Sequence, residues 1–323
     1  MANTIGWGKG TQNNTNGWGK YQNTIDAGSV YADSYAGETV LVGTSAAFSY
    51  SKSSFHQGEA DPTPTITGTT GGTFSATPSG LSINTSTGTI DLDNSTIQSY
   101  TITYTVSGVS AQQSLAVTAS PFIANNFSMN FNGVDNYILG PTIGFGTNDF
   151  SISLWINYSY GSGNARYNTL IDFRETAFNV NGLAFYLFEN KAVVYIGGVG
   201  VIGTSTITLS QNLWTNIVLT KTSGEYKVYF NDANSSRSEV LGTNTTSLDE
   251  KTANIGIEWD ESFGAFNGKM DEFAIWNTAL SSDAVQEIYN ATANNTGKAL
   301  DLSTDYNNYT SSSNLQYWNR LGD

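Results

Sequence analysis

From about residue 45 onward the chain is built of short runs in which apolar and polar residues alternate. Tyr100, Ile102, Tyr104 and Val106 share one parity, as do Phe127, Met129 and Phe131, and then Phe150, Ile152, Leu154 and Ile156. Side chains on a strand point to opposite faces in turn, so each run reads as a half-buried strand. Turn residues separate the runs: Gly71-Gly72, Thr85-Ser86-Thr87-Gly88, Ser107-Gly108, Glu189-Asn190-Lys191 and Thr222-Ser223-Gly224-Glu225. Strands at this spacing, about 8–12 residues apart with turn signals between them, predict an all-β protein of sandwiches or barrels. Composition agrees. Gly numbers 33 against 5 Pro, and charged residues are only 12%, about half the usual 25%. One helix is expected near 282–290, with Ser281 or Ser282 as cap and Asp283 at the positive end of its dipole. Val285, Ile288 and Tyr289 share its face.

Charge and residue types exclude whole classes of function. With 27 acidic against 13 basic residues, the net charge is -14, which repels phosphate backbones and anionic membrane surfaces. No nucleic acid partner and no membrane insertion are expected, since no run approaches the ~20 apolar residues of a span. The first residues, Met1 to Lys9, have no apolar h-region, so no export signal is expected. There is no cysteine, which excludes disulfides, thiolate nucleophiles and Cys-based zinc sites. The single histidine, His56 in the polar loop Ser54 to Gly58, excludes most Ser-His and His-metal chemistry. The chain therefore reads as a binding or structural protein, not an enzyme.

Four segments are expected: 1–44, 45–119, 120–299 and 300–323. In the first, Gly6-Trp7-Gly8-Lys9 recurs as Gly17-Trp18-Gly19-Lys20. A Trp between glycines cannot build a core in so short a segment. It is either a solvated tail or an anchor whose rings are buried in a partner, and the anchor reading assigns Trp7 and Trp18 to partner binding.

The second segment, with Gly80 to Leu92 followed by Tyr100 to Val106, resembles the immunoglobulin-like repeats of bacterial surface adhesins, which act mostly as spacers. The third carries five blocks in order: Ser128 to Ile138, Asp149 to Ile156, Leu213 to Lys221, Tyr226 to Asp232 and Phe266 to Ser281. Together they resemble the laminin-G-like, concanavalin A-like jelly rolls. That resemblance implies two packed antiparallel sheets, frequent carbohydrate or protein binding, and often a structural calcium. Its matching positions here are Asp135 and Asp271, with Asn136 and Glu272 beside them, so the metal candidates are Asp135, Asp271 and Glu272. Otherwise no cofactor is expected. The doubled Gly-Trp-Gly-Lys with trailing Asn resembles the start of virion structural proteins from phages of Bacteroidota and marine bacteria. The combined expectation is a virion fibre or appendage protein. Residues 1–44 would attach to other virion proteins, the head would contact host-surface glycan or protein, and the chain would form a homo-oligomer. A bacterial cell-surface adhesin and a glycan hydrolase are the alternatives.

Three motifs need weighing. Gly198-Val-Gly200-Val-Ile-Gly203 matches the dinucleotide fingerprint in letters, but a β pattern follows where a helix is required. Glu258-Trp-Asp260-Glu261 resembles the E-x-D-x-x-E strand of concanavalin-like glucanases, yet Phe263 stands at the third carboxylate position. A solvated or calcium-binding loop is then expected, with Trp259 beside it as the ligand-binding aromatic. Trp155 and Trp276 lie within alternating strands and are assigned to the core. Finally, Asn314 to Asp323 resembles the opening strand of a further laminin-G-like module. An unpaired edge is a liability, so this strand pairs with a neighbouring subunit, precedes further chain, or packs on the existing sandwich.

Overall fold

The computed structural model describes residues 43–159, 167–175, 180–259 and 264–322. Trp7, Trp18, Asp260, Glu261 and Phe263 lie outside the described residues. The chain divides into two compact units between Ser120 and Pro121.

The first unit contains β1 (Phe48–Ser49), β2 (Ser54–His56), β3 (Thr65–Ile66), β4 (Thr73–Thr77), β5 (Ser82–Ile83), β6 (Ile90–Asp91), β7 (Gln98–Val106) and β8 (Val109–Thr118). Its main sheet runs β2-β8-β7-β4, with β2 parallel to β8. The β1-β3 and β5-β6 ladders accompany it. Alternation decides the core, because Tyr100, Ile102, Tyr104 and Val106 of β7 are all buried, with Phe55, Phe74, Leu115 and Val117.

The second unit begins with β9 (Phe122–Ala124), β10 (Met129–Asn132), β11 (Ile138–Ile143), β12 (Phe150–Tyr158), β13 (Tyr167–Asp172), β14 (Leu183–Phe188) and β15 (Lys191–Ile196). It continues with β16 (Gly200–Thr204), β17 (Thr215–Thr222), β18 (Glu225–Asp232), β19 (Ser235–Thr243), β20 (Lys251–Ile255) and β21 (Asn267–Trp276). It ends with α1 (Ser282–Ala293), β22 (Lys298–Leu300) and β23 (Leu315–Asn319). One sheet runs β10-β21-β12-β17-β18-β19, and β23 pairs with β21 as a seventh strand. The other, six-stranded, runs β11-β20-β13-β14-β15-β16. The core lies between them. Ile152, Leu154 and Ile156 of β12 meet Leu183, Phe185 and Leu187 of β14 and Val194 and Ile196 of β15 in one cluster. Each such side chain contributes about 1.5–3 kcal/mol on burial.

Local chemistry sets the connections. Three hairpins turn on residue pairs with positive φ: Ser107 and Gly108 (48° and 82°), Glu189 and Asn190 (49° and 65°), Ser223 and Gly224 (49° and 86°). Paired positive φ matches the twist of the flanking strands. At the far edge β16 and β19 belong to different sheets yet approach backbone to backbone. A Cβ on Gly203 would collide with the Leu241 carbonyl, and one on Gly242 with that of Ile202. The two glycines let each edge shield the other. Gly198 to Gly203 thus forms a turn and β16, with no helix after it.

One expectation of the sequence is corrected and another is refined. Phe127 and Met129 are 64% and 40% exposed, so only Phe131 of that run is core. β10 is an edge strand, and its pairing with β21 begins only at Met129. Trp155 is buried, but its strand neighbours Leu154 and Ile156, not Trp155, belong to the inter-sheet core. Its indole stacks on Tyr289 of α1, centroids 5.5 Å apart and planes at 20°.

α1 covers the outer face of the seven-stranded sheet. Ser281 Oγ accepts from the Ala284 amide at 3.1 Å, and Asp283 lies in the first turn. Ala284, Val285, Ile288 and Ala291 pack there with Val218, Ala274 and Trp276. No helix among the described residues is long and apolar enough to cross a membrane. The stretch resembling the opening of a further module forms β23, with Ala274 opposite Trp318 and Ile275 opposite Tyr317.

Candidate functional site

The outer face of the six-stranded sheet follows from parity. Leu183, Phe185 and Leu187 of β14 point into the core, as do Ala192, Val194 and Ile196 of β15. The intervening positions therefore face out, among them Ala184, Tyr186 and Tyr195. Antiparallel register sets Ala184 beside Tyr195 and Tyr186 beside Thr169 of β13. Tyr167 and Tyr186 lie 5.8 Å apart, ring centre to ring centre. With Arg174, Glu258 and Gly264, these residues line a cavity of about 270 Å³.

Arg174 organises this cavity. Its Nε and Nη2 donate to Asp172 Oδ1 and Oδ2 at 2.9 and 2.7 Å. The same Nη2 donates to Glu258 Oε1 at 2.7 Å. Backbone amides of Arg174 and Trp259 add 2.9 and 3.1 Å bonds to Asp172. The guanidinium also lies 5.1 Å from the Tyr195 ring centre, within range of a cation–π contact. Asp172 has no exposed surface. Burial pushes its carboxyl above the usual carboxylate range, against the opposing pull of Arg174. Burial works against the charge of Arg174 as well, yet Asp172 and Glu258 together raise its pKa further. Burial, and then Tyr167, push the Tyr186 phenol up to about 12, so its hydroxyl remains a donor at neutral pH.

Chemically, this is a patch of three aromatic rings, one oriented guanidinium and one reachable carboxylate. Glycoside hydrolysis uses two carboxyl groups flanking the scissile bond, about 5–5.5 Å apart in retaining enzymes and about 6.5–9.5 Å apart in inverting ones. Among the described residues lining the cavity, Glu258 is the single carboxylate. Asp172, held beneath Arg174, has no surface to offer a substrate.

The sequence singled out Glu258 and Trp259, and both reach this region. Glu258 lines the cavity, while Trp259 contributes its amide to Asp172 and its half-buried ring is not part of the lining. Sequence reasoning missed Tyr167, Arg174, Tyr186 and Tyr195. The available signal was the parity of Tyr186 and Tyr195, opposite to that of the core residues in the same strands.

The proposed calcium ligands do not fit a metal centre as the structure arranges them. Asp135 is exposed, and its Oδ1 accepts from the Asn132 side-chain Nδ2 at 2.7 Å. Asp271 and Glu272 sit at a bulge of β21, where Trp155 pairs with Asp271 and Ser153 with Ala274. Glu272, at φ 50°, accepts from Trp318 Nε1 at 2.7 Å and Arg320 Nε at 3.3 Å. Asp271 Oδ1 accepts from the Glu272 amide at 2.8 Å. Among the described residues, no three His, Cys, Asp or Glu side chains gather as metal ligands.

Residues 132–286 match a family model described as the concanavalin A-like lectin/glucanases superfamily. Topology and match together define the class: an all-β protein containing a concanavalin A-like, laminin-G-type jelly-roll domain. Solved structures are similar to the chain at low identity and at TM-scores under 0.5. A candidate carbohydrate-binding protein from Bacteroides ovatus is 14% identical, covering 77% of this chain and 70% of its own, with a TM-score of 0.46. The heptameric SAP-like pentraxin of Limulus polyphemus is 12% identical over 51% of this chain and 82% of its own, at 0.40. The enzymatically active domain of tailspike protein 2 from bacteriophage CBA120 is 11% identical over 64% and 36%, at 0.41. No curated protein matches the chain by sequence.

Proposed function

We propose that the jelly roll is a lectin that holds a host-surface glycan on the outer face of its six-stranded sheet without cleaving it. The carrying observation is the cavity of Tyr167, Tyr186, Tyr195, Arg174 and Glu258. Sugars present apolar C–H faces to aromatic rings and hydroxyls to oriented polar groups, and this cavity offers both. We further read the protein as a virion appendage, multimeric and anchored through Trp7 and Trp18. The Gly-Trp-Gly-Lys repeat and the adhesin-like second segment support that reading. Weak sites suffice in such an assembly. A Kd of 1 mM corresponds to about 4 kcal/mol, and linked copies gain about 10²–10⁴-fold in avidity.

The test uses immobilised host polysaccharide and assembled particles. Wild-type protein is retained and generates no new reducing ends, and Tyr186→Ala lowers retention at least tenfold while remaining folded. Turnover that disappears in Glu258→Gln would make the protein a hydrolase instead. Trp7→Ala with Trp18→Ala keeps glycan retention but removes the protein from particles. Normal incorporation of that double variant sinks the anchoring role.

A further inference from the structure

The opposite, helix-covered face of the jelly roll carries a second and larger cleft, of about 500 Å³. That volume is within the 300–1,000 Å³ of ordinary ligand sites. Trp155 of β12 and Trp214, just before β17, supply its aromatic surface, and Lys269 and Asp271 of β21 line it on one strand face. The segment 125–128 and the residues after α1, through Lys298, complete the walls. Several features suit this place to a ligand. Trp155 is clamped by Tyr289, so its ring needs little ordering on binding. Trp214 is half-buried beside it. Asn125, in the wall, has a buried Oδ1 with no hydrogen-bond partner in the protein. A buried acceptor left unmade is costly, and a ligand hydroxyl would satisfy it.

The charge of this cleft selects among ligands. Lys269 and Lys298 are both exposed and Asp271 is buried, so the ionisable groups of the lining sum to one positive charge. This is a local reversal in a chain of net charge -14. On the six-stranded face Arg174 is instead shared between Asp172 and Glu258, which leaves that cluster with one excess negative charge. We propose that the cleft bounded by Trp155, Trp214, Lys269 and Lys298 is a second saccharide site, specific for a short oligosaccharide bearing carboxylates, of the uronate type. The rings lie against the indoles, the carboxylates meet the two ammonium groups, and hydroxyls reach Asp271 and Asn125. The inference stands independently of the lectin reading of the six-stranded face, because it uses none of that face's residues.

Full-length protein carrying 5-fluorotryptophan tests it, with resonances assigned by single Trp→Phe replacements. The probes are trigalacturonate, trimannuronate and the fully methyl-esterified form of trigalacturonate. At least one of the two acids is expected to shift the Trp155 and Trp214 signals saturably, with affinity falling as salt rises. The ester is expected to bind at least tenfold more weakly. Lys269→Gln with Lys298→Gln removes the preference for acid over ester, and Trp214→Ala abolishes the response. Tyr186→Ala leaves it unchanged, which separates this site from the one on the other face. The proposal falls if neither acid shifts both signals, if acid and ester bind alike, or if Tyr186→Ala abolishes the response.

Discussion

The two outer faces of the jelly roll differ in what covers them. On the six-stranded sheet the cavity is lined by strand side chains themselves, with Ala184 and Tyr186 on alternate positions of β14 and Tyr195 on β15, the two tyrosines half-buried. On the seven-stranded sheet, α1 and the segments around it cover the strands, and a cleft remains where α1 ends. An open face is specified by parity within each strand. A covered face is specified by tertiary packing between segments far apart in sequence, as in the Trp318 to Glu272 bond. The open face accordingly rests on a few strong polar contacts and the covered face on many apolar ones.

Arg174→Ala is the largest available break in this comparison. It leaves Asp172, with no exposed surface, without its bidentate partner. Stranding one member of a buried pair costs about 3–5 kcal/mol. Chemical denaturation should show that loss in the jelly-roll transition alone. Asp172→Asn combined with Arg174→Met should recover much of it, since the only carboxylate then deprived of Arg174 is the partly exposed Glu258. If Arg174→Ala costs no more than an exposed pair, the open face does not depend on this contact.

The corresponding edit on the covered face is smaller. Ser281→Ala removes the side-chain bond to the Ala284 amide. Loss of such a cap costs about 0.5–2 kcal/mol, while the apolar contacts of Val285 and Ile288 keep the helix docked. Hydrogen exchange should rise in the first turn of α1 and not in β12 or β21 beneath it. Exchange rising throughout those strands would mean that the cover, and not the sheet, holds that face together.

The same contrast explains what was legible in the sequence. Alternation gave β12, β14, β15, β17, β18 and β21, and turn pairs such as Glu189-Asn190 gave the hairpins, while β11, β13, β19 and β20 carried no such signal. Ser281 and Asp283 marked the start of α1. Trp155 is buried as expected, but parity says only which face a side chain takes, not what covers that face. Only the α1 packing that brings Tyr289 over the sheet makes Trp155 a buried wall of a cleft. Tyr186 and Tyr195 carried the right parity yet stood out little, since outward tyrosines are ordinary on exposed sheets. Arg174, two residues from Asp172, gained meaning only once the fold brought Glu258, just after β20, to it across 84 residues of sequence. The repeat around Trp7 and Trp18 remains a reading of sequence alone.

The smallest expected effect is a pH dependence confined to alkaline solution. Tyr186 in the folded protein keeps its proton up to about 12, chiefly because burial disfavours the phenolate. In the unfolded chain a tyrosine ionises near 10. Between those values the unfolded state binds fewer protons than the folded one, so stability falls as pH rises. Below pH 10 both states hold the proton and the group contributes no slope. Tyr309, buried beneath the covered face and donating to the Leu302 carbonyl at 2.7 Å, is also pushed up to about 12. Each face thus contributes to the same alkaline decline. Tyr186→Phe should therefore flatten the fall in unfolding free energy between pH 10 and 12 only in part, and leave it unchanged at pH 7–9. A decline identical to wild type would mean that the Tyr186 ring meets water freely on the open face. A decline abolished altogether would mean that Tyr309 and the other jelly-roll tyrosines that burial pushes up, Tyr226 and Tyr289, add nothing to it.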